Sequence, residues 1–267
     1  MLFLALYPKV KTLELDIPKE KKIYFASDFH LGAPTLIESH LREKRIVRWL
    51  NQIQPDAAAL FLVGDIFDFW HEYKRAIPKG FIRFQGKLAE LADAGLPIYL
   101  FTGNHDMWMF GYFTDELGIE VFREPITLMA NGKKVLIGHG DGLGPGDTKY
   151  KFLKKVFANK VCQWLFRQIH PDLGIYIANK WSASSRISSS THETEGFLGN
   201  GEWLWTYAKE LEKQTHHDFY VFGHRHLPLD LEVNENSRYI NLGEWVNYNT
   251  FASFNGKDFV LEKFDEE

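Results

Sequence analysis

Hydrophobic positions along the chain fall into short continuous runs separated by amphipathic stretches. The runs Lys22–Ala26, Ala57–Val63, Pro97–Phe101, Lys134–Ile137, Phe219–Phe222 and Arg238–Leu242 are four to seven residues long. Their aromatic and β-branched content predicts buried strands. Between the first three runs the period changes to that of a helix. Leu36 to Ile53 places Ile37, Leu41, Ile46, Val47 and Leu50 on one broad face, and Phe81 to Ala94 does the same with Phe81, Phe84, Leu88 and Leu91. Strand and helix in alternation predict an α/β fold. From Phe219 onward the strands follow one another with no room for helices, so part of the sheet is expected to be antiparallel or mixed. No internal repeat is visible.

The stretch from about Asp147 to Gly201 breaks this rhythm. Tyr150 to Ile169 reads as one helix carrying Phe152, Val156, Phe157, Val161, Trp164, Leu165 and Phe166, and Leu173 to Trp181 as a second. The serine-rich run Trp181–Ser190 reads as a mobile loop. We expect one domain over residues 1–267, in which 147–201 form a helical insertion, or lid. Ordinary core helices are the plainer alternative.

Composition narrows the class. With 267 residues, 45% hydrophobic and 25% charged, the chain has the balance of a globular protein able to bury a sizeable core. Its one cysteine, Cys162, excludes an intrachain disulfide and suits a reducing compartment. The apolar start Met1–Pro8 is too short to span a bilayer and lacks the basic region of a signal peptide, so a cytoplasmic location is expected. The net charge of −4 argues against nucleic acid as a partner. It is unevenly spread. Between Asp147 and His192 stand eight Lys/Arg and two acids, a local +6 that leaves −10 for the remainder.

Five polar clusters follow the expected strand ends: Asp28-Phe-His30, Gly64-Asp-Ile-Phe-Asp68, Gly103-Asn-His-Asp106, Gly138-His-Gly-Asp141 and Gly223-His-Arg-His226. In α/β folds the carboxyl ends of the strands line the ligand crevice. Asp28, Asp65, His30, His139, His224, His226 and Asn104 together offer carboxylate, imidazole and amide donors without a thiolate. Such a set suits Mn, Fe, Zn or Ni. Seven ligands exceed one tetrahedral ion and suit two ions sharing a carboxylate, a pair that can activate water and stabilise both oxygens of an in-line displacement at phosphorus.

Taken in this order, the five motifs resemble the calcineurin-like metallophosphoesterase superfamily. The resemblance implies a four-layer α/β/β/α sandwich. It also implies one metal on Asp28, His30, Asp65 and His226 and a second on Asp65, Asn104, His139 and His224, with His105 beside the phosphate or protonating the leaving group. Asn104 and His105 are thus the candidate catalytic residues. Within the superfamily, Ser27–Gly32, Gly64–Trp70, Gly138–Asp141 and the basic insert after them resemble the bacterial enzymes that cleave the pyrophosphate of UDP-2,3-diacylglucosamine in lipid A synthesis. In those enzymes the insert caps the acylated sugar, and the best-known members carry Arg where this chain has His105. The implied cofactors are two divalent ions, Mn2+ first, and the implied partner is the UDP-activated acylated sugar.

The insert suits such a ligand. Lys149, Lys180 and Arg186 can attract phosphate, the serine hydroxyls can donate to it, and Phe, Trp and Leu surfaces can take acyl chains. The same composition predicts peripheral contact with the cytoplasmic face of the inner membrane. Arg225, between two candidate ligands, is expected at the substrate phosphate or in solvent. Asp68, Asp106 and Asp141 are expected to hold ligands in place or to cap helices. His71-Glu72 could approach the rim or lie on the surface, and His40, His170, His192, His216 and His217 read as structural. The rival functions are another phosphoesterase of the same fold, acting on a nucleotide, phosphoprotein or other phosphodiester, and a scaffold that only binds. The second would be expected to have lost ligands.

Overall fold

A computed structural model describes residues 10–144, 148–193 and 196–265, with side chains for all of these except 149 and 183–193. The first sheet is built on β2 (Lys22–Ala26), β3 (Ala57–Val63) and β4 (Ile98–Phe101), and the second on β7 (Lys133–Gly138), β8 (Phe219–Phe222) and β10 (Ser237–Leu242). Residues alternate between two apolar layers along each strand. Ile23, Phe25, Phe61, Val63, Val135, Ile137 and Val221 pack between the sheets. Tyr24, Ala26, Leu60 and Leu62 face outward onto helices α1 (Leu36–Ile53), α2 (Ile82–Asp93) and α3 (Tyr112–Leu117). Leu136, Tyr220 and Phe222 face the other way, onto α7 (Trp203–Glu212). Burial on both faces is why these strands read as unbroken apolar runs. The layers run α/β/β/α, as expected.

Completing the set are β1 (Lys11–Leu15), β5 (Glu120–Phe122), β6 (Ile126–Ala130), β9 (Pro228–Asn234), β11 (Thr250–Phe254) and β12 (Phe259–Lys263). The two six-stranded sheets run β1-β6-β7-β8-β10-β9 and β12-β11-β2-β3-β4-β5. β2, β3 and β4 are mutually parallel, as are β7, β8 and β10, so within each sheet these three strands end on the same edge. The antiparallel pairs β9–β10 and β11–β12 are the mixed pairing expected after Phe219.

Three expectations are corrected. On α1, Ile37 and Leu41 are 76% and 58% exposed, while Arg42 and Glu43 are buried beside Ile46, Trp49 and Leu50. The polar pair is inside because it works there. Arg42 donates to the carbonyls of His30 and Ala33, and Glu43 accepts from the backbone of Arg83 and Phe84 at the start of α2. The single helix over Tyr150–Ile169 is two, α4 (Thr148–Ala158) and α5 (Lys160–Arg167), because the Asn159 side chain caps a new start by accepting from Val161 and Cys162. The run Trp181–Ser190 is not a loop. It continues α6 (Pro171–Glu193), which opens on a proline, a residue suited to the first helical position.

Phe152, Val161, Trp164, Leu165, Leu173 and Tyr176 on α4, α5 and α6 are exposed. These helices meet the core through Phe166 and Phe157, which pack on Trp108, and the Trp108 indole donates to the Phe157 carbonyl at 2.9 Å. Phe166 also packs on His71. That places His71 in the interior rather than on the rim or surface. Glu72 is interior too, accepting from Trp70 and from the backbone of Gly111 and Tyr112.

Burial holds His71 and His217 neutral, each down at about 4. An imidazole whose folded pKa lies below its unfolded value near 6.5 contributes no penalty above that value. As pH falls from about 6.5 towards 4 the unfolded chain gains the proton, so stability drops by up to about 3 kcal/mol per residue. Urea unfolding at pH 7.5 and pH 4.5 is therefore expected to show a smaller acid loss for His217→Gln than for the parent. Equal losses in both would contradict this reading.

Candidate metal centre

The five clusters stand directly after β2, β3, β4, β7 and β8. Backbone bonds lace their loops together beyond the strands: Asp28 N–H donates to the Gly64 carbonyl, His30 to Asp65, and Gly223 to His139, each at 3.0 Å. From the loop after β10, Trp245 N–H reaches the Asp28 carbonyl at 3.2 Å. The loops turn sharply. Asp28, His30, Asp65, His224 and His226 all have φ between +44 and +66, in the left-handed region. Non-glycine residues held there cost of order 1–3 kcal/mol each and concentrate at functional sites. At Gly64, Gly103 and Gly223 only glycine fits: an added Cβ would lie 2.5 Å from His139 Nδ1, 2.2 Å from Asp65 Oδ1 and 2.4 Å from Asp28 Oδ2 respectively.

All seven expected ligands come together. Potential donor atoms of Asp28, His30, Asp65 and His226 lie within 4.8 Å of one another, and so do those of Asp65, His139 and His224. Asp65 belongs to both groups. Asn104 Oδ1 is 3.3 Å from His139 Nε2, so Asn104 joins the second. His30 Nε2 and His226 Nε2 stand 3.0 Å apart, and His226 Nε2 is 3.1 Å from Asp28 Oδ1. His139 Nδ1 donates to the Val63 carbonyl at 2.9 Å, which turns Nε2 towards Asp65 Oδ2 at 3.3 Å. Asp65 Oδ2 is buried and has no hydrogen-bond partner among the described residues. Convergent acceptors around an orphaned carboxylate oxygen are what divalent cations fit.

The charges agree with this. Burial would raise the Asp65 carboxyl, but His139 and His105 hold it well below the usual carboxylate range. Burial would also raise Asp28, which His226 and His139 outweigh. Burial lowers His224 to about 4 and lowers His30, so both are neutral and fit to ligate. His139 is the exception: against the effect of burial, Asp65, Asp28 and Asp141 push it up to about 10. Its proton balances the carboxylates and must leave before Nε2 can bind a metal.

The expected supporting residues take distinct positions. Asp106 accepts from the backbone of Gly103, Ile66 and Phe67, tying the loop after β4 to the loop after β3; burial and then Asp65 push its carboxyl up to about 7. Asp141 accepts from Tyr150 at 2.6 Å and pairs with Lys154 at 2.7 Å, fastening α4 to the loop after β7. Asp68 lies 3.7 Å from His30 Nδ1 and accepts from Ser182 Oγ at 2.9 Å. His105 donates its backbone N–H to Asp65 Oδ1 at 2.8 Å, and its ring Nδ1 is 2.9 Å from Ser182 Oγ and 3.1 Å from the Asp68 carbonyl.

The candidate substrate cations fare differently. Lys180 is exposed, its ammonium 4.9 Å from the Tyr176 ring centre. The side chains of Lys149 and Arg186 lie outside the described residues. For Arg225 the solvent alternative is corrected: it is 3% exposed and forms a two-pronged pair with Glu202 at 3.0 and 3.1 Å, while also donating to the Gly196 carbonyl. It fastens the segment after α6 to the loop between His224 and His226. Glu202 and Ser182 were not singled out in the sequence, because nothing beside either marks it in one dimension.

Comparison with known proteins gives consistent results. A family model described as calcineurin-like phosphoesterase matches residues 21–228. A Porphyromonas gingivalis protein named UDP-2,3-diacylglucosamine hydrolase is 37% identical over 257 residues, covering 92% of this chain and 98% of the relative. Proteins of the same name from Ectopseudomonas mendocina and Histophilus somni are 29% and 27% identical, covering 85% and 84% of this chain and 95% and 92% of theirs.

Proposed function

The chain belongs to the calcineurin-like phosphoesterase family, and from that premise we propose that it hydrolyses the pyrophosphate of UDP-2,3-diacylglucosamine, giving UMP and 2,3-diacylglucosamine 1-phosphate. The observation that carries the reading is the pair of ligand groups sharing Asp65 at the carboxyl ends of β2, β3, β7 and β8, in a chain whose relatives bear that name over nearly their whole length. Asp28, His30, Asp65 and His226 would hold one divalent ion, and Asp65, Asn104, His139 and His224 the other. Mn2+ is the expected metal, and Fe and Zn suit the same nitrogen and oxygen donors. When bound, the ions supply Lewis acidity at phosphorus and a water of lowered pKa.

The remaining steps fall to the chain's own groups. Asn104, with its Oδ1 beside His139, would use its amide N–H to orient a phosphoryl oxygen. His105 would pass a proton from its ring to the leaving oxygen. With Nδ1 facing the Asp68 carbonyl, Nε2 is the nitrogen free for this. Helices α4, α5 and α6 act as the lid over the crevice in this reading. Their exposed aromatic and aliphatic side chains would receive the two acyl chains, and Lys180, with Lys149 and Arg186, would attract the pyrophosphate. The same surface would rest on the cytoplasmic face of the inner membrane; no described helix is long and apolar enough to cross a membrane.

The test is Mn2+-dependent release of UMP from UDP-2,3-diacylglucosamine, with UDP-N-acetylglucosamine alongside. Turnover of the acylated substrate at least ~100-fold above the other is expected, since burying acyl methylenes is worth about 0.8 kcal/mol each. Equal turnover, or cleavage of a simple aryl phosphodiester alone, would sink the substrate and keep the metal chemistry.

A further inference from the structure

We infer that Ser182, on lid helix α6, is a positioning residue for His105, linking that histidine to Asp68 through a hydroxyl relay. This rests on the catalytic reading of His105. The hydrogen-bond directions follow from chemistry. The Asp68 carboxylate can only accept, so Ser182 Oγ, 2.9 Å from Asp68 Oδ2, donates its one proton there. The Asp68 backbone carbonyl can also only accept, so His105 Nδ1, 3.1 Å away, carries a hydrogen. That Nδ1–H is 2.9 Å from Ser182 Oγ, a hydroxyl oxygen that can accept from it. The chain of donors therefore runs from His105 Nδ1–H to Ser182 Oγ–H to the Asp68 carboxylate. It pins the ring through Nδ1 and so leaves Nε2 as the nitrogen that meets the leaving oxygen.

Two further observations support a specific role. Ser182 is 7% exposed, although the neighbouring α6 residues Lys180 and Trp181 face solvent. Asp68 also lies 3.7 Å from His30 Nδ1, so one carboxylate serves a ligand histidine and, through Ser182, the catalytic one. Seating α6 on the core is thus a condition for a correctly oriented His105, and the lid contributes to chemistry as well as to binding.

A double-mutant cycle separates this from a direct contact between Ser182 and substrate. Ser182→Ala is expected to lower kcat about 10- to 100-fold, as loss of such supporting partners does, with KM within about twofold of the parent. Ser182→Thr, which keeps the hydroxyl, should recover most of the rate. In a His105→Ala background, Ser182→Ala should cost nothing more. An equal loss in both backgrounds, or a KM effect alone, would overturn the proposal in favour of substrate contact. A Ser182→Ala chain with the parent's kcat would overturn it outright, as would a His105→Ala chain with full activity. A parent inert towards both the acylated nucleotide and an aryl phosphodiester would remove the catalytic reading and this proposal with it. A readout without turnover comes from the 15N resonances of the His105 ring. The parent should show protonated Nδ1, and Ser182→Ala a growing share of the Nε2–H tautomer; an unchanged ratio would contradict the relay.

Discussion

Replacing Asp65 by asparagine is expected to lower turnover by more than ~10³-fold, because both proposed metal positions would lose the ligand they share. Asparagine is the informative replacement. It retains an oxygen where Asp65 Oδ1 accepts the His105 backbone N–H at 2.8 Å, so the loop after β4 keeps its anchor. What it removes is a charge and a ligating oxygen at Oδ2, the atom that is buried without a hydrogen-bond partner among the described residues. Melting should stay close to that of the metal-free parent, since a buried carboxylate no longer has to be balanced by protonated His139. Activity within tenfold of the parent, measured with saturating Mn2+ on an aryl phosphodiester, would show that Asp65 does not bridge.

Gly103→Ala should be nearly as damaging, for a reason of space. The new methyl would lie 2.2 Å from Asp65 Oδ1 and 2.6 Å from the Asp65 backbone nitrogen, and the second of these cannot swing aside. Either the loop after β3 or the loop after β4 must move, and a displacement near 1 Å at a reacting centre costs on the order of 10²-fold in rate. A stability loss of about 1–3 kcal/mol should accompany it. Gly86→Ala is the matched control. It lies within α2 with nothing within 4 Å of the added carbon, and should stabilise by up to about 1 kcal/mol with activity unchanged. Comparable activity in the two variants would mean that the loops tolerate rearrangement and do not hold the ligands rigidly.

Much of the centre was legible in one dimension because it is made of strand ends. An apolar run buried on both faces is visible as such, and a polar cluster immediately after it must lie on the carboxyl edge. Asp28, Asp65, Asn104, His139 and His224 each follow their strand within three residues. The side chains that position them were harder to see. Arg42 and Glu43 are polar residues buried by α1, and hydrophobic periodicity assigns such a face to solvent. Arg225 was expected at the substrate phosphate or in solvent; its pairing with Glu202, 23 residues away across α7 and β8, has no local signal. Ser182 lies 77 residues from His105 in a run whose composition suggested a loop, and only the packing of α6 brings the two together. Five left-handed ligand residues are likewise a product of the loops' tight tertiary lacing, which no local propensity announces.

The central claim is that one edge of the sandwich holds two metal ions on a shared carboxylate, and it is tested most directly by counting the ions. Equilibrium dialysis of the metal-free chain against Mn2+ at pH 8, followed by elemental analysis, should give two ions per chain at saturation for the parent and no more than one for Asp65→Asn. A parent that saturates at one ion or fewer would contradict the two-metal centre.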